Sequence, residues 1–211
     1  MVNPFSTGAY VAEELAKRTF KVIALWTKAI SDAQRKSGVN FRVFASIEEG
    51  VDLDETLASV KDAAKTFRIV ACICGGAEGS VLTDALSELL GVRTNGTEIK
   101  NRGSKKIQQE IIKEAGLRSI RQVTGQSLSD LNEFILNEKY PIVVKPSEFV
   151  SPEGVKLCYN AVEATNHFNF LTSLIKKSGR DSFVICQEYL KGKEYIIDHV
   201  SRDGVHKTTS K

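Results

Sequence analysis

The 211-residue sequence predicts an α/β protein with a Rossmann-like parallel sheet in front and the first part of an α+β unit behind it. Three observations carry this. Short Val-, Ile- and Phe-rich runs alternate with amphipathic stretches over roughly the first hundred residues. The texture then changes after Gly96, where apolar runs are joined by short polar turns and covered by one long helical stretch. Finally, 42% hydrophobic and 26% charged residues fit a folded chain of one large or two small domains.

In the front part, residues 20–26 (FKVIALW), 41–46 (FRVFAS) and 67–74 (FRIVACIC) read as strands buried on both faces. Between and around them, 8–18, 52–65 and 78–90 place apolar residues three and four apart, the period of a half-buried helix, and Gly91 is positioned to end the last of these. This domain is expected over 1–97. Residues 98–140 then read as a helical linker and a first segment of the next fold. They hold a basic, glutamine-rich helix over about 104–115, a strand at RSIRQV, and a helix SLSDLNEFILN capped by Ser127 or Ser129. Residues 141–211 read as antiparallel β with one covering helix: YPIVVKP, GVKLC, the helix AVEATNHFNFLTSLIKK, SFVICQEYL and KEYIIDHV.

Composition excludes several partners. The net charge is only +3, far from the basic face that binding to a phosphate backbone demands, so no nucleic acid is expected. No run reaches membrane-spanning length, and MVNPFSTGAY lacks the basic flank and apolar stretch of a secretory leader. A cytoplasmic protein with no membrane partner is expected. The four cysteines match neither a zinc-ligand pattern nor a C-x-x-C pair, so they read as reduced, small core residues, and the Asn95-Gly96-Thr97 sequon is then idle.

Lys145 is the first chemical candidate, because PIVVKP puts a lone lysine at the end of an apolar strand, just before a proline that stops the ladder. A half-buried ammonium calls for an anion, although an edge lysine with its head in water has the same pattern. The following SEFVSPEGV, with Ser151 and Gly154, has the small residues of a turn that could cover phosphates. Next is QEYLKGKEY. Gln187, Glu188, Tyr189 and Leu190 close one apolar strand, and Glu194 opens another, where a carboxylate could accept two hydrogen bonds from a ribose diol. Lys105 or Lys106 on the basic helix completes the set, each equally readable as a solvated face. Glu78 lies in the first turn of a helix, where the helix dipole alone favours an acid.

A lysine on a helix, then V-V-K-P, a small-residue loop and Q-E-x-L-x-G-x-E resembles the running order of the ATP-grasp superfamily over nearly the whole chain. CGGAEGSVLTDALSELLGVRTNG is similar to the front-domain pattern of its amino-acid and dipeptide (carnosine-synthase-like) carboxylate–amine ligases. The resemblance implies a Rossmann-like pre-ATP-grasp domain followed by the first part of an α+β ATP-grasp domain. It implies ATP and Mg2+ as cofactors and a small amino-acid or carboxylate substrate. Residue by residue, it makes Lys105 and Lys145 phosphate contacts, Ser151 and Gly154 parts of the phosphate-covering loop, Gln187 to Leu190 the adenine hinge, Glu194 the ribose acid and Glu78 a substrate-side residue.

Three departures accompany it. Ser104 replaces an expected acid, and Lys106 makes the first lysine ambiguous by one position. The loop is also poorer in glycine than the family pattern. The magnesium ligands are expected beyond Lys211, so the sequence reads as the ATP-binding part of a ligase, catalytically incomplete alone. The alternative is a truncated, non-catalytic nucleotide- or partner-binding module. On either reading SFVICQEYL and KEYIIDHV should leave an apolar face and an unpaired strand edge open to self-association. A Rossmann dehydrogenase is disfavoured, because no G-x-G-x-x-G follows the first strand-like run.

Overall fold

The computed structural model describes residues 1–98, 102, 104–147, 154–178 and 182–210. It divides into two units, Met1–Ile99 and Lys100–Lys211, of mixed α/β character as expected.

The first unit is built on β1 (Ile23–Trp26) and β2 (Ala45–Glu48), a parallel pair in the register Ile23↔Ala45. Parallel strands need a crossover between them, and this one carries α2 (Asp32–Arg35), a single turn closed by a capping box between Ser31 and Gln34. The helices expected from periodicity are present as α1 (Thr7–Lys17), α3 (Leu53–Ala63) and α4 (Ser80–Leu89), the last entered by a 3-10 turn at Ala77–Gly79. Asp52 caps α3 by accepting from the Glu55 N–H at 2.8 Å, and Gly91, with φ +62°, follows α4. Val2, Leu25, Val60 and Leu86 form the core.

Two expected strands differ. The run over 41–46 gives a strand only from Ala45, because the pairing with β1 starts there. The run over 67–74 forms no strand among the described residues. Its ladder contact is one bridge, Cys74 to Val2, which itself bridges Leu25 on its other side. Among the described residues, Met1, Val2 and Asn3 are placed between β1 and this run.

In the second unit, α5 (Lys105–Glu114) is capped by Ser104, whose hydroxyl accepts from the Ile107 N–H. A four-stranded antiparallel sheet follows, in the order β3 (Gln122–Gly125), β6 (Val184–Glu188), β4 (Ile142–Pro146), β5 (Lys156–Cys158). Helices α6 (Leu128–Asn137, N-capped by Ser127) and α7 (Ala161–Ser178) cover one face. There Leu131, Ile135, Ile142, Val144, Phe168, Leu171, Val184 and Cys186 are packed together and buried.

Here too the end of the chain departs from expectation. KEYIIDHV does not run as one strand: Tyr195, Ile196 and Ile197 are exposed irregular chain, and β7 begins only at Asp198. An apolar composition without a neighbouring edge does not make a ladder. Instead β7 (Asp198–Arg202) pairs with β8 (Val205–Ser210) in a hairpin around Asp203-Gly204, both at positive φ, as a type I′ turn requires. The strand from SFVICQEYL, expected to bear an open edge, is the interior strand β6, paired on both sides. No helix among the described residues is long and apolar enough to cross a membrane.

Gly8 lets α1 lie against the loop at Gly75, since a Cβ there would run into the Gly75 carbonyl. Gly8→Ala is expected to cost about 1–3 kcal/mol, the range for overpacking against backbone that cannot yield. Urea unfolding followed by circular dichroism checks it.

Candidate functional site

Strand alternation sorts the side chains of the second unit. On β4, Ile142, Val144 and Pro146 point into the core, while Val143 and Lys145 point to the other face. The antiparallel register places Val143 opposite Gln187 and Lys145 opposite Ile185. Lys145, Gln187, Gln122 and Thr124 therefore share the face that the helices do not cover. This follows from pairing alone, and Gln122 and Thr124 were not among the candidates because register is not legible before the partners are known.

Lys145 is half-buried, and its pKa is lowered, first by desolvation and then by the neighbouring Lys105 ammonium. Lys105 is the first residue of α5, and its Nζ donates to the carbonyl of Ser147 at 3.2 Å, just beyond the end of β4. Lys106, the other candidate, turns outward and lies 3.8 Å from Glu110 on its own helix. Geometry thus brings Lys105, not Lys106, to Lys145. Two ammonium groups at one strand end, one of them short of water, make a local field suited to a polyanion.

Ser147 fixes the end of β4. Its N–H donates to the Phe183 carbonyl at 2.8 Å, and its hydroxyl accepts from the Phe183 N–H and meets the Ser182 hydroxyl. Ser151 lies outside the described residues, as does the expected loop up to 153. Gly154, at its far end, has φ +85°, and a Cβ there would press on Leu171. Its carbonyl is 2.8 Å from His167 Nε2 on α7. Ser147 and Gly154 are thus each held by hydrogen bonds to the rest of the unit.

Glu188 has a different setting from its neighbours. Its buried carboxylate accepts from the Arg121 N–H and from the guanidinium groups of Arg118 and Arg121, each at 2.9 Å. It lies on the core side of the strand, away from Lys145 and Gln187, so it ties β6 to the segment before β3. Tyr189 and Leu190 follow it, exposed. Glu194 is exposed in irregular chain, not at the start of a strand, and nothing in the described contacts joins it to Lys145. Glu78 sits exposed in the 3-10 turn before α4, in the other unit.

Among the described residues, no group of three or more His, Cys, Asp or Glu side chains is placed to hold a metal ion.

Removing the Glu188 carboxylate leaves the Arg121 N–H without its side-chain acceptor, while both guanidinium groups stay accessible to water. Glu188→Ala is expected to lower stability by about 1–3 kcal/mol, read from the denaturation midpoint at constant m value.

No family model matches the chain. Dapdiamide A synthase of Enterobacter agglomerans is 28% identical over 142 residues, 64% of this chain and 33% of that protein. The chain thus spans about a third of the length of that curated relative. In structure it is similar to the L-amino acid ligase from Bacillus licheniformis, with TM-score 0.72, 18% identity, and coverage of 94% of this chain and 48% of that one. It is also similar to the N5-carboxyaminoimidazole synthetase from Staphylococcus aureus complexed with ADP, with TM-score 0.55, 13% identity, and coverage of 97% and 54%. The chain is thus similar in sequence to Dapdiamide A synthase and has the fold of the L-amino acid ligase and of the synthetase.

Proposed function

We propose that this chain is the ATP-binding portion of a carboxylate–amine ligase that works through an acyl phosphate. The observation that carries the proposal is the convergence of Lys105 and Lys145 at the end of β4, on the face of the sheet opposite α6 and α7, in a chain similar to Dapdiamide A synthase. In this reading a carboxylate oxygen attacks the γ-phosphorus of ATP in line, and ADP leaves. The amine then attacks the acyl carbon and expels phosphate. The lysines position the phosphates and offset the charge that shifts onto the leaving oxygen.

The remaining contacts follow the strand. Gln187, on the same face as Lys145, and the exposed Tyr189 and Leu190 after it are proposed to border the adenine, with Glu194 reading the ribose hydroxyls. Glu78 is kept as a substrate-side residue and Ser151 and Gly154 as parts of the phosphate-covering loop. The substrate is a small amino acid or other carboxylate, and the setting is the cytoplasm. ADP in a structural neighbour supports the nucleotide. The exposed side chains of Tyr195, Ile196, Val200 and Val205 favour a second reading, a partner-binding or self-associating module without turnover. ATP binding in calorimetry that is weakened in Lys145→Met supports the ligase portion. Absence of ATP binding, together with concentration-dependent association in the ultracentrifuge, supports the module.

Lys145→Met keeps the stem and removes the charge, so ATP is expected to bind about ten- to a hundredfold more weakly, a loss of ~1.5–3 kcal/mol. Unchanged affinity in calorimetry refutes the assignment. Only the charged form attracts phosphate, and the Lys145 pKa lies below its ordinary 10.5. Affinity should therefore fall as pH rises through that lowered value, and Lys145→Met should lose this alkaline limb. Glu194→Ala should weaken ATP by a similar ~1.5–3 kcal/mol and erase any preference for ATP over 2′,3′-dideoxy-ATP; a preference that persists points to another ribose contact.

A further inference from the structure

The second unit carries a cluster of charged side chains that the phosphate chemistry above leaves unused. Glu188 closes β6, with only 6% of its surface exposed. One carboxylate oxygen accepts from the Arg118 guanidinium and the Arg121 N–H, and the other meets the Arg121 guanidinium, each at 2.9 Å. Arg121 continues the series, since its Nε and Nη2 donate to the two oxygens of Glu138 at 3.0 and 2.9 Å. Glu138 follows the last residue of α6. The end of β6, the approach to β3 and the end of α6 are thus joined through one guanidinium.

Its position along the sheet connects this cluster to the lysines. Ile185 lies opposite Lys145, and Glu188 lies opposite Ile142. Three residues at roughly 3.3 Å each put Glu188 about 10 Å along the sheet from the level of Lys145, the scale of a nucleotide from its phosphates to its base. Backbone pairing holds Glu188 on both edges, to β4 and through its N–H to the Arg121 carbonyl at 3.0 Å. Immediately after it the chain leaves the sheet as Tyr189 and Leu190, irregular and exposed. Whatever fixes Glu188 therefore fixes the point and direction from which those two residues start. A buried carboxylate held by two arginines adds little net stability over a well-packed apolar residue, because desolvation offsets much of the attraction. What it adds is direction, since guanidinium forks and a backbone N–H define where the carboxylate sits.

We infer that Arg118, Arg121 and Glu188 are positioning residues for the base end of the proposed nucleotide site, acting through the backbone of Tyr189 and Leu190. The inference rests on the ATP-binding reading above and extends it from the phosphates to the base. None of the three touches the nucleotide; they set where the two residues that border the base stand. Loss of the cluster should therefore weaken binding of the base and leave binding of bare phosphate unchanged.

Calorimetry with ATP and with inorganic tripolyphosphate separates the two, on the chain itself and on two variants: Glu188→Gln, and Arg118→Gln combined with Arg121→Gln. Glu188→Gln keeps an acceptor for the Arg121 N–H, and the double change removes side chains that are 62% and 61% exposed. The variants shift net charge in opposite directions. Both are expected to bind ATP about tenfold more weakly than the parent. Tripolyphosphate should bind each within about threefold of the parent, because the cluster lies beyond the Debye length of about 8 Å at physiological ionic strength. A fall shared equally by tripolyphosphate marks the cluster as support for the fold and overturns the inference. So does unchanged ATP affinity in either variant, or a gain in one and a loss in the other, which is the signature of net charge alone. A parent chain that binds tripolyphosphate but not ATP has no seat for the base, which overturns the inference and leaves the lysine pair as a phosphate site. A parent that binds neither refutes the ATP-binding reading and the inference with it.

Discussion

The second unit depends on the pairing of β6 with β4. Because β6 is held on both edges, its register fixes which side chains of β4 face the helices and which face outward. A slip of one residue would carry Lys145 into the core beside Leu171 and bring Val144 out. The cost of burying that ammonium among Ile142, Val184 and Phe168 makes the observed register much the better one. The core on one face and the lysine on the other are thus two results of one constraint. The Glu188 carboxylate reinforces it from the far end of β6, where it holds the two arginines that lead into β3.

How much of this is legible in the sequence depends on whether a feature is local. The helices follow from spacing and caps, and Asp52, Ser104 and Ser127 do what such residues do at helix starts. Strands need partners, and partners are not local. FRIVACIC has the composition of a buried strand and yet forms none, because only Val2 reaches it. KEYIIDHV has an apolar middle and no neighbouring edge, so Ile196 and Ile197 stay exposed. The missed hairpin is the opposite case: Asp203-Gly204 is a local turn signal, flanked by alternating residues, and could have been read.

The candidate residues could be singled out from the sequence, and their arrangement could not. Lys145 stands out because a lysine closing an apolar strand contradicts its surroundings, and such inconsistencies concentrate at functional positions. The choice between Lys105 and Lys106 was not open to sequence reasoning, since adjacent helix positions differ by about 100° in direction and only the placement of β4 decides which one faces it. Glu188 was grouped with Gln187 by adjacency along the chain. On a strand adjacency means opposite faces, and the burial of its carboxylate with Arg118 and Arg121 needed contacts from residues some seventy positions earlier.

Electrostatics shows why the lysine pair is more than a solvated edge. Two like charges brought together at a strand end, one of them partly desolvated, disfavour the charged state of Lys145. Evenly spaced surface lysines would carry no such cost. Lys105 is instead turned toward the end of β4, where the Ser147 carbonyl is its fixed partner, at the beginning of the segment that leads to Gly154. A carbonyl supplies part of a negative charge and satisfies one of the three ammonium donors. An anion with several oxygens can answer both ammonium groups at once and recover the repulsion between them. A single chloride or carboxylate gains less, because it cannot span two donors with the same number of contacts. On the proposed function, a polyphosphate that spans Lys105 and Lys145 would thus relieve their repulsion, which neither lysine would offer alone.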